Sequence, residues 1–153
     1  MADTYTVERS TTISASPSEV YSHMIDFHNW TPWSPWEELD PEMSKTYSGA
    51  DSGVGAKYAW TGNRKVGSGS MEITDAKSDA EIQIALEFLK PFKASNTTVF
   101  KLTPEGDGTH VSWTMIGRNT LMTKIMGIFK SMDSMVGPDF EKGLSKLKAV
   151  AES

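Results

Sequence analysis

The sequence contains no cysteine. That absence excludes disulfide staples, a thiolate nucleophile and any thiolate-held metal, and it suits a reducing compartment. Long apolar runs are missing too. Nothing approaches the roughly 20 consecutive apolar residues of a membrane-spanning helix, so no transmembrane segment is expected. The opening Met1-Ala2-Asp3-Thr4-Tyr5 carries neither the basic nor the apolar region of a signal peptide, and the expected location is the cytoplasm. Basic charge is scarce: 15 Lys and Arg stand against 20 Asp and Glu, for a formal charge of −5. Phosphate backbones are held by clustered Lys and Arg, so nucleic acid is not an expected partner.

Several chemical motifs are missing as well. No glycine-rich loop lies between a strand and a helix; Gly67-Ser68-Gly69-Ser70 continues into a strand, where it reads as an adaptable hairpin edge. No Gly-x-Ser-x-Gly elbow is present. There are 3 histidines. His23 and His28 are five positions apart, which on a helix points them about 140° away from each other. They cannot share an ion, and Asp26 adds no convergent geometry. His110 begins a strand after a glycine-rich turn. No metal and no cofactor are expected.

What is abundant is methionine and tryptophan, with 9 and 5 residues. Methionine fills irregular gaps and recurs at adaptable apolar sites, although both residue types also serve as ordinary core. Their positions are informative. Residues 5–14, rich in Thr and Val, predict a strand. Ser16-Pro17-Ser18-Glu19 follows, with Ser16 as N-cap, Pro17 as first helical residue and Glu19 as capping-box acid. Val20, Met24 and Phe27 repeat behind it and predict a helix over 17–28. In Trp30-Thr31-Pro32-Trp33-Ser34-Pro35-Trp36 the prolines forbid a regular helix. Its tryptophans must fold onto something apolar, as a short helical turn or two across one end of the sheet.

From there the chain reads as a meander, with strands over 43–49, 56–62, 67–76, 80–89, 95–103 and 109–118 separated by turn residues. Ile82, Ile84, Leu86 and Phe88 alternate with polar residues, as do Val111, Trp113 and Met115. Such alternation marks antiparallel strands with one packed face. Residues 120–151 are helical by their apolar spacing, and Gly137-Pro138 is expected to kink or briefly break that helix. A twisted sheet with one apolar face and a long helix with one apolar stripe must cover each other. With no repeat, linker or low-complexity tract, residues 1–153 read as a single domain.

Four segments carry a resemblance. They are Ala15-Ser16-Pro17-Ser18-Glu19-Val20-Tyr21; Trp30 through Trp36 to Asp40-Pro41; Leu89-Lys90-Pro91-Phe92 with Gly108-Thr109-His110-Val111-Ser112-Trp113-Thr114-Met115; and Met132 through Leu144. Together they resemble the START and birch-pollen-allergen superfamily (SRPBCC), in its polyketide cyclase/dehydrase and lipid transport branch. The resemblance spans nearly the whole chain. It implies an α+β helix-grip fold, a curved antiparallel sheet of six to seven strands around a long C-terminal helix, with two short helices between the first two strands. It also implies an apolar pocket, but no particular reaction.

The residues expected to line that pocket are Tyr58, Trp60, Phe88, Trp113 and Met115 from the sheet and Met122, Met126, Phe129 and Met132 from the closing helix. Trp30, Trp33 and Trp36 would form its rim. Arg9 shares a strand face with Val7 and Ile13; it either reaches the cavity, as a carboxylate anchor or half of an internal ion pair, or sits at the sheet rim. Glu72 falls on the wet face, and Arg118 ends the last strand near the pocket mouth. The leading expectation is binding of a small hydrophobic or aromatic molecule, lipid- or polyketide-like. A cyclase/dehydrase-type enzyme acting on a carbonyl compound is the alternative, though Arg9, Tyr58, His23 and Glu72 form no recognisable constellation. A third reading is a protein- or membrane-interaction module using the face from Leu121 to Met132.

Overall fold

The structure, a computed structural model, describes residues 4–34, 40, 42–63, 67–90, 94–118 and 132–152. The strands are β1 (Thr4–Ile13), β2 (Ser44–Gly49), β3 (Ala56–Thr61), β4 (Ser68–Lys77), β5 (Glu81–Lys90), β6 (Ala94–Glu105) and β7 (Gly108–Arg118). They form one antiparallel sheet in the order β1-β7-β6-β5-β4-β3-β2. The meander from β2 to β7 is built of sequential hairpins, and β1 joins its far end. Every predicted strand is present, with ends displaced by a residue or two.

The first helix is shorter than its apolar spacing predicts. Helix α1 runs Pro17–Ser22, with the Ser16 hydroxyl accepting from the Glu19 N–H as the capping motif requires. It stops at His23. A single 3-10 turn, Phe27–Asn29, follows after a break at Asp26, whose extended backbone lets its carboxylate accept from the His28 N–H at 2.9 Å. An aspartate offering the backbone this local bond competes with helix continuation. The indoles downstream complete the stop. Trp30 Nε1 donates to the Met24 carbonyl at 2.9 Å and Trp33 Nε1 to the His23 carbonyl at 3.0 Å. The predicted Trp/Pro element is therefore what terminates α1, by capping carbonyls that a longer helix would have used itself.

Helix α2 covers Met132–Glu152. Residues 120–131 of the helix predicted over 120–151 lie outside the described residues. No break occurs at Pro138, which lies inside the helix with its ring exposed, while Gly137 is buried. Phe140, Leu144, Leu147 and Ala151 form the buried stripe, the three larger ones contributing about 1.5–3 kcal/mol each by removal from water. The helix runs alongside β1 in the same direction. Arg9 Nε meets the Glu141 carboxylate at 2.8 Å, Lys148 Nζ donates to the Thr12 carbonyl at 2.9 Å, and the Ser14 N–H donates to the Glu152 carboxylate at 2.7 Å.

The last of these contacts is pH-sensitive. Hydrogen bonds from Lys148 and from the Ser14 backbone hold the Glu152 carboxyl below its ordinary range. A depressed carboxylate stabilises the fold above the unfolded value of about 4.3 and loses that contribution as pH falls through the folded value. The Glu152→Gln variant is expected to denature at lower urea than the parent at neutral pH. The gap should close as the titration moves into acid; a gap unchanged at low pH would refute the linkage.

Candidate functional site

Strand register sorts the concave face into rows that cross the sheet. One row runs Arg9–Trp113–Phe100–Ile82, and the next Val7–Met115–Thr98–Ile84–Ile73. The third runs Tyr5–Gly117–Asn96–Leu86–Met71–Tyr58–Tyr47, and beyond it lies Phe88–Gly69–Trp60–Lys45.

The two ends of this face differ in character. At the first row the space is filled by the protein's own rings. Trp113 stacks on Phe140 of α2 with centroids 4.2 Å apart and planes 9° from parallel. Phe100 lies 5.0 Å from Trp113, and Trp33 and Trp30 pack edge-on against Phe100. Trp33 and Trp113 are essentially without solvent contact. This end is solid core.

The other end is only partly covered. Tyr47, Tyr58, Trp60 and Phe88 form a second aromatic run with centroid separations of 5.3, 6.2 and 5.9 Å. Tyr58 is buried, but Tyr47, Trp60, Phe88 and neighbouring Met71 are half-buried. Phe27 links the two runs, 5.8 Å from Tyr58. Polar groups also gather here. Thr98 and Asn96 are buried on the concave side, and the Tyr5 hydroxyl donates to Asn96 Oδ1 at 3.0 Å. Burial pushes the Tyr5 phenol upward, so Tyr5 stays protonated at neutral pH.

Two glycines make this surface possible. A Cβ at Gly117 would stand 2.2 Å from Asn96 Oδ1 and 2.4 Å from the Tyr5 hydroxyl. A Cβ at Gly69 would stand 2.6 Å from Trp60 Cη2 and 2.3 Å from the Glu87 carbonyl. Tyr5 and Asn96 thus meet across a bare backbone, and Trp60 lies flat over another, the close approaches that glycine inside a strand permits.

Of the residues expected at a pocket, the structure brings Tyr58, Trp60 and Phe88 together at the half-covered end, with Met115 in the row beside them. Trp30, Trp33 and Trp113 belong to the filled end. Arg9, on the edge strand β1, pairs with the exposed Glu141 in place of reaching a cavity, and it is laid over Gly137, where a Cβ would stand 2.2 Å from its Nη2. Glu72 lies in register with Lys57 and Ala85, both exposed. Trp36, Met122, Met126 and Phe129 lie outside the described residues, as do the side chains of Met132 and Arg118. Among the described residues no group of His, Cys, Asp and Glu could hold a metal; His28 stacks on Tyr47 at 4.1 Å and meets Asp26 at 2.7 Å. No helix among them is long and apolar enough to cross a membrane.

Sequence reasoning missed Tyr5, Asn96 and Thr98. The signal was available: Asn96 and Thr98 share the period-two face of Phe100 and Leu102, and Tyr5 that of Val7. A depression of about 390 Å³ is lined by Ala85, Glu87, Ser95, Thr97 and Ile116 together with Leu86, Asn96 and Gly117 of the third row. The first five alternate with the concave set along β5, β6 and β7.

The profile of the family described as polyketide cyclase / dehydrase and lipid transport matches residues 4–152. No functionally curated protein matches the sequence. Among solved structures, protein CV1439 from Chromobacterium violaceum is similar at 16% identity and a TM-score of 0.70, covering 97% of each chain. Ara h 8.0201 is similar at 13% identity and a TM-score of 0.64, again over 97% of each chain. The di-domain ARO/CYC StfQ from the steffimycin biosynthetic pathway shares 13% identity and a TM-score of 0.70 over 97% of this chain and 51% of its own. At such identities the structures establish the helix-grip fold, and the profile match over almost the entire sequence establishes the lineage: the chain belongs to the polyketide cyclase / dehydrase and lipid transport family.

Proposed function

We propose that the protein binds a small hydrophobic or aromatic molecule, lipid- or polyketide-like, at the half-covered end of its concave face. Tyr58, Trp60 and Phe88 are the contact residues, with Met71, Leu86 and Met115 beside them. Trp30, Trp33 and Trp113 brace the site from the filled end. One observation carries this reading: Tyr47, Trp60 and Phe88 of the aromatic run are only half-buried, although Tyr58 among them and Ile73, Ile84 and Leu86 on the same face are buried. Half-covered rings on a concave, largely apolar wall with a few polar groups are the usual make-up of a small-molecule site.

Cyclase/dehydrase chemistry is the second reading, favoured by the family and by the part-buried Tyr5–Asn96 pair. Such chemistry calls for a proton acceptor poised near neutral pH. Burial holds Tyr5 protonated, so binding is the stronger proposal. Native mass spectrometry of freshly purified protein, with fluorescence titration by an environment-sensitive naphthalene dye, tests it. Dye should bind, and Trp60→Ala should weaken binding about tenfold, roughly the 1.4 kcal/mol of one lost aromatic contact. No dye response and no co-purified compound would overturn the proposal.

A further inference from the structure

We infer that His28, held by Asp26, is a positioning residue: it fixes Tyr47 as the end wall of the site and so limits the length of the ring system bound there. This rests on the binding site proposed above and specifies the size of ligand that it takes.

Tyr47 stands at a boundary. It ends the third row of the concave face, and its strand β2 is the edge of the sheet, with β3 as its one strand neighbour among the described residues. A half-buried ring on an edge strand has neighbours on fewer sides than a ring in the middle of a sheet. The missing support comes from the segment between α1 and β2. Its 3-10 turn, Phe27–Asn29, sets consecutive rings against adjacent strands of that row. Phe27 lies 5.8 Å from Tyr58, and His28 lies flat on Tyr47, with centroids 4.1 Å apart and planes 20° from parallel. Tyr58 meets Tyr47 from β3 at 5.3 Å.

The imidazole is itself held. A carboxylate only accepts hydrogen bonds, so Asp26 Oδ1 takes both the His28 backbone N–H at 2.9 Å and its Nδ1–H at 2.7 Å. Bonded at the backbone and again at the ring, His28 has little freedom to swing away from Tyr47. The same segment is tied to the β2–β3 connection, where the Gly53 N–H donates to the Ile25 carbonyl at 3.0 Å. A planar molecule lying against Tyr58 and Trp60 that reaches toward β2 therefore meets a phenol ring that is braced from behind. Compact ring systems fit in front of it, and longer ones collide with it.

The test compares a naphthalene dye with a pyrene dye carrying the same polar substituent. Pyrene has the larger apolar area and would bind an open apolar surface more tightly. The wall reverses that order, so the parent protein should bind the naphthalene dye about tenfold more tightly, the effect of one modest steric conflict. In His28→Ala, with folding checked by circular dichroism, pyrene affinity should rise about tenfold while naphthalene affinity stays as it was. A merely structural role would lower both affinities together and leave their ratio unchanged. If that variant does not fold, Asp26→Ala frees the imidazole but keeps it in place, and the ratio should move the same way severalfold. Tighter binding of pyrene by the parent, or a ratio unchanged in the folded variants, would overturn the wall and leave the binding site standing. Failure of both dyes to bind the parent would overturn both.

Discussion

Trp113→Ala is expected to bring the protein close to unfolding. The indole is sandwiched among Phe140, Phe100 and Trp33, with centroids 4.2, 5.0 and 6.0 Å away, and it is almost fully buried. Removing a large buried aromatic costs about 3–5 kcal/mol, against a total stability of about 5–15 kcal/mol for a domain. The surroundings have little freedom to collapse, because Phe140 is on α2 and Phe100 on β6, both fixed by their own neighbours. Thermal unfolding should shift down by about 10 °C or more. Trp60→Ala, at the half-covered end, should lower stability far less and dye affinity far more. A Trp60 variant that loses as much stability as the Trp113 variant would contradict the division of the concave face into filled and open ends.

Gly69→Val is expected to have the second largest effect, by overpacking. The first atom of the new side chain would fall 2.3 Å from the Glu87 carbonyl oxygen, which belongs to the backbone of the paired strand β5, and 2.6 Å from Trp60. A carbonyl held in a β-ladder cannot rotate aside as a side chain can. Strands β4 and β5 must therefore separate locally, with a loss of about 2–3 kcal/mol. The same substitution drives Trp60 off its glycine floor, so dye binding should fall along with the urea midpoint. Normal dye binding in a folded Gly69→Val protein would show that Trp60 does not need this floor.

Most of the fold was legible because its elements obey simple periods. Ile82, Ile84, Leu86 and Phe88 repeat every second residue and lie on one face of β5, as alternation requires. Phe140, Leu144 and Leu147 repeat every three or four and form the stripe of α2. Where the reading failed, a local bond outweighed the pattern. Val20, Met24 and Phe27 are spaced for one helix, yet the Asp26 carboxylate and the Trp30 and Trp33 indoles take the backbone groups that would have continued it. Pro138 was expected to kink or briefly break α2; the helix is not broken there, the ring is exposed, and the preceding glycine makes room for Arg9.

The site was less legible than the fold. Aromatic residues stand out in composition, so Tyr58, Trp60 and Phe88 were found together with Trp33 and Trp113. Nothing in one strand reveals which rings the helix will cover. That depends on the crossing of α2 with the sheet, which only the register and the packing of Phe140 disclose. Asn96 sits in the polar run Ser95-Asn96-Thr97-Thr98, where only its period-two spacing from Phe100 and Leu102 marks the face it shares with them.

The placement of β1 at the end of the sheet, hydrogen-bonded to β7, bears on how the chain matures on the ribosome. β2 to β7 form hairpin by hairpin as they emerge, each strand finding its partner a few residues away. The first strand made has no such neighbour: Thr4–Ile13 must wait until Gly108–Arg118 has been synthesised. At about 5–20 residues per second that is several seconds during which Val7 and Ile13 are unshielded. Pairing of β1 with β7, the contact of greatest sequence separation in the sheet, is therefore the natural slow step of assembly.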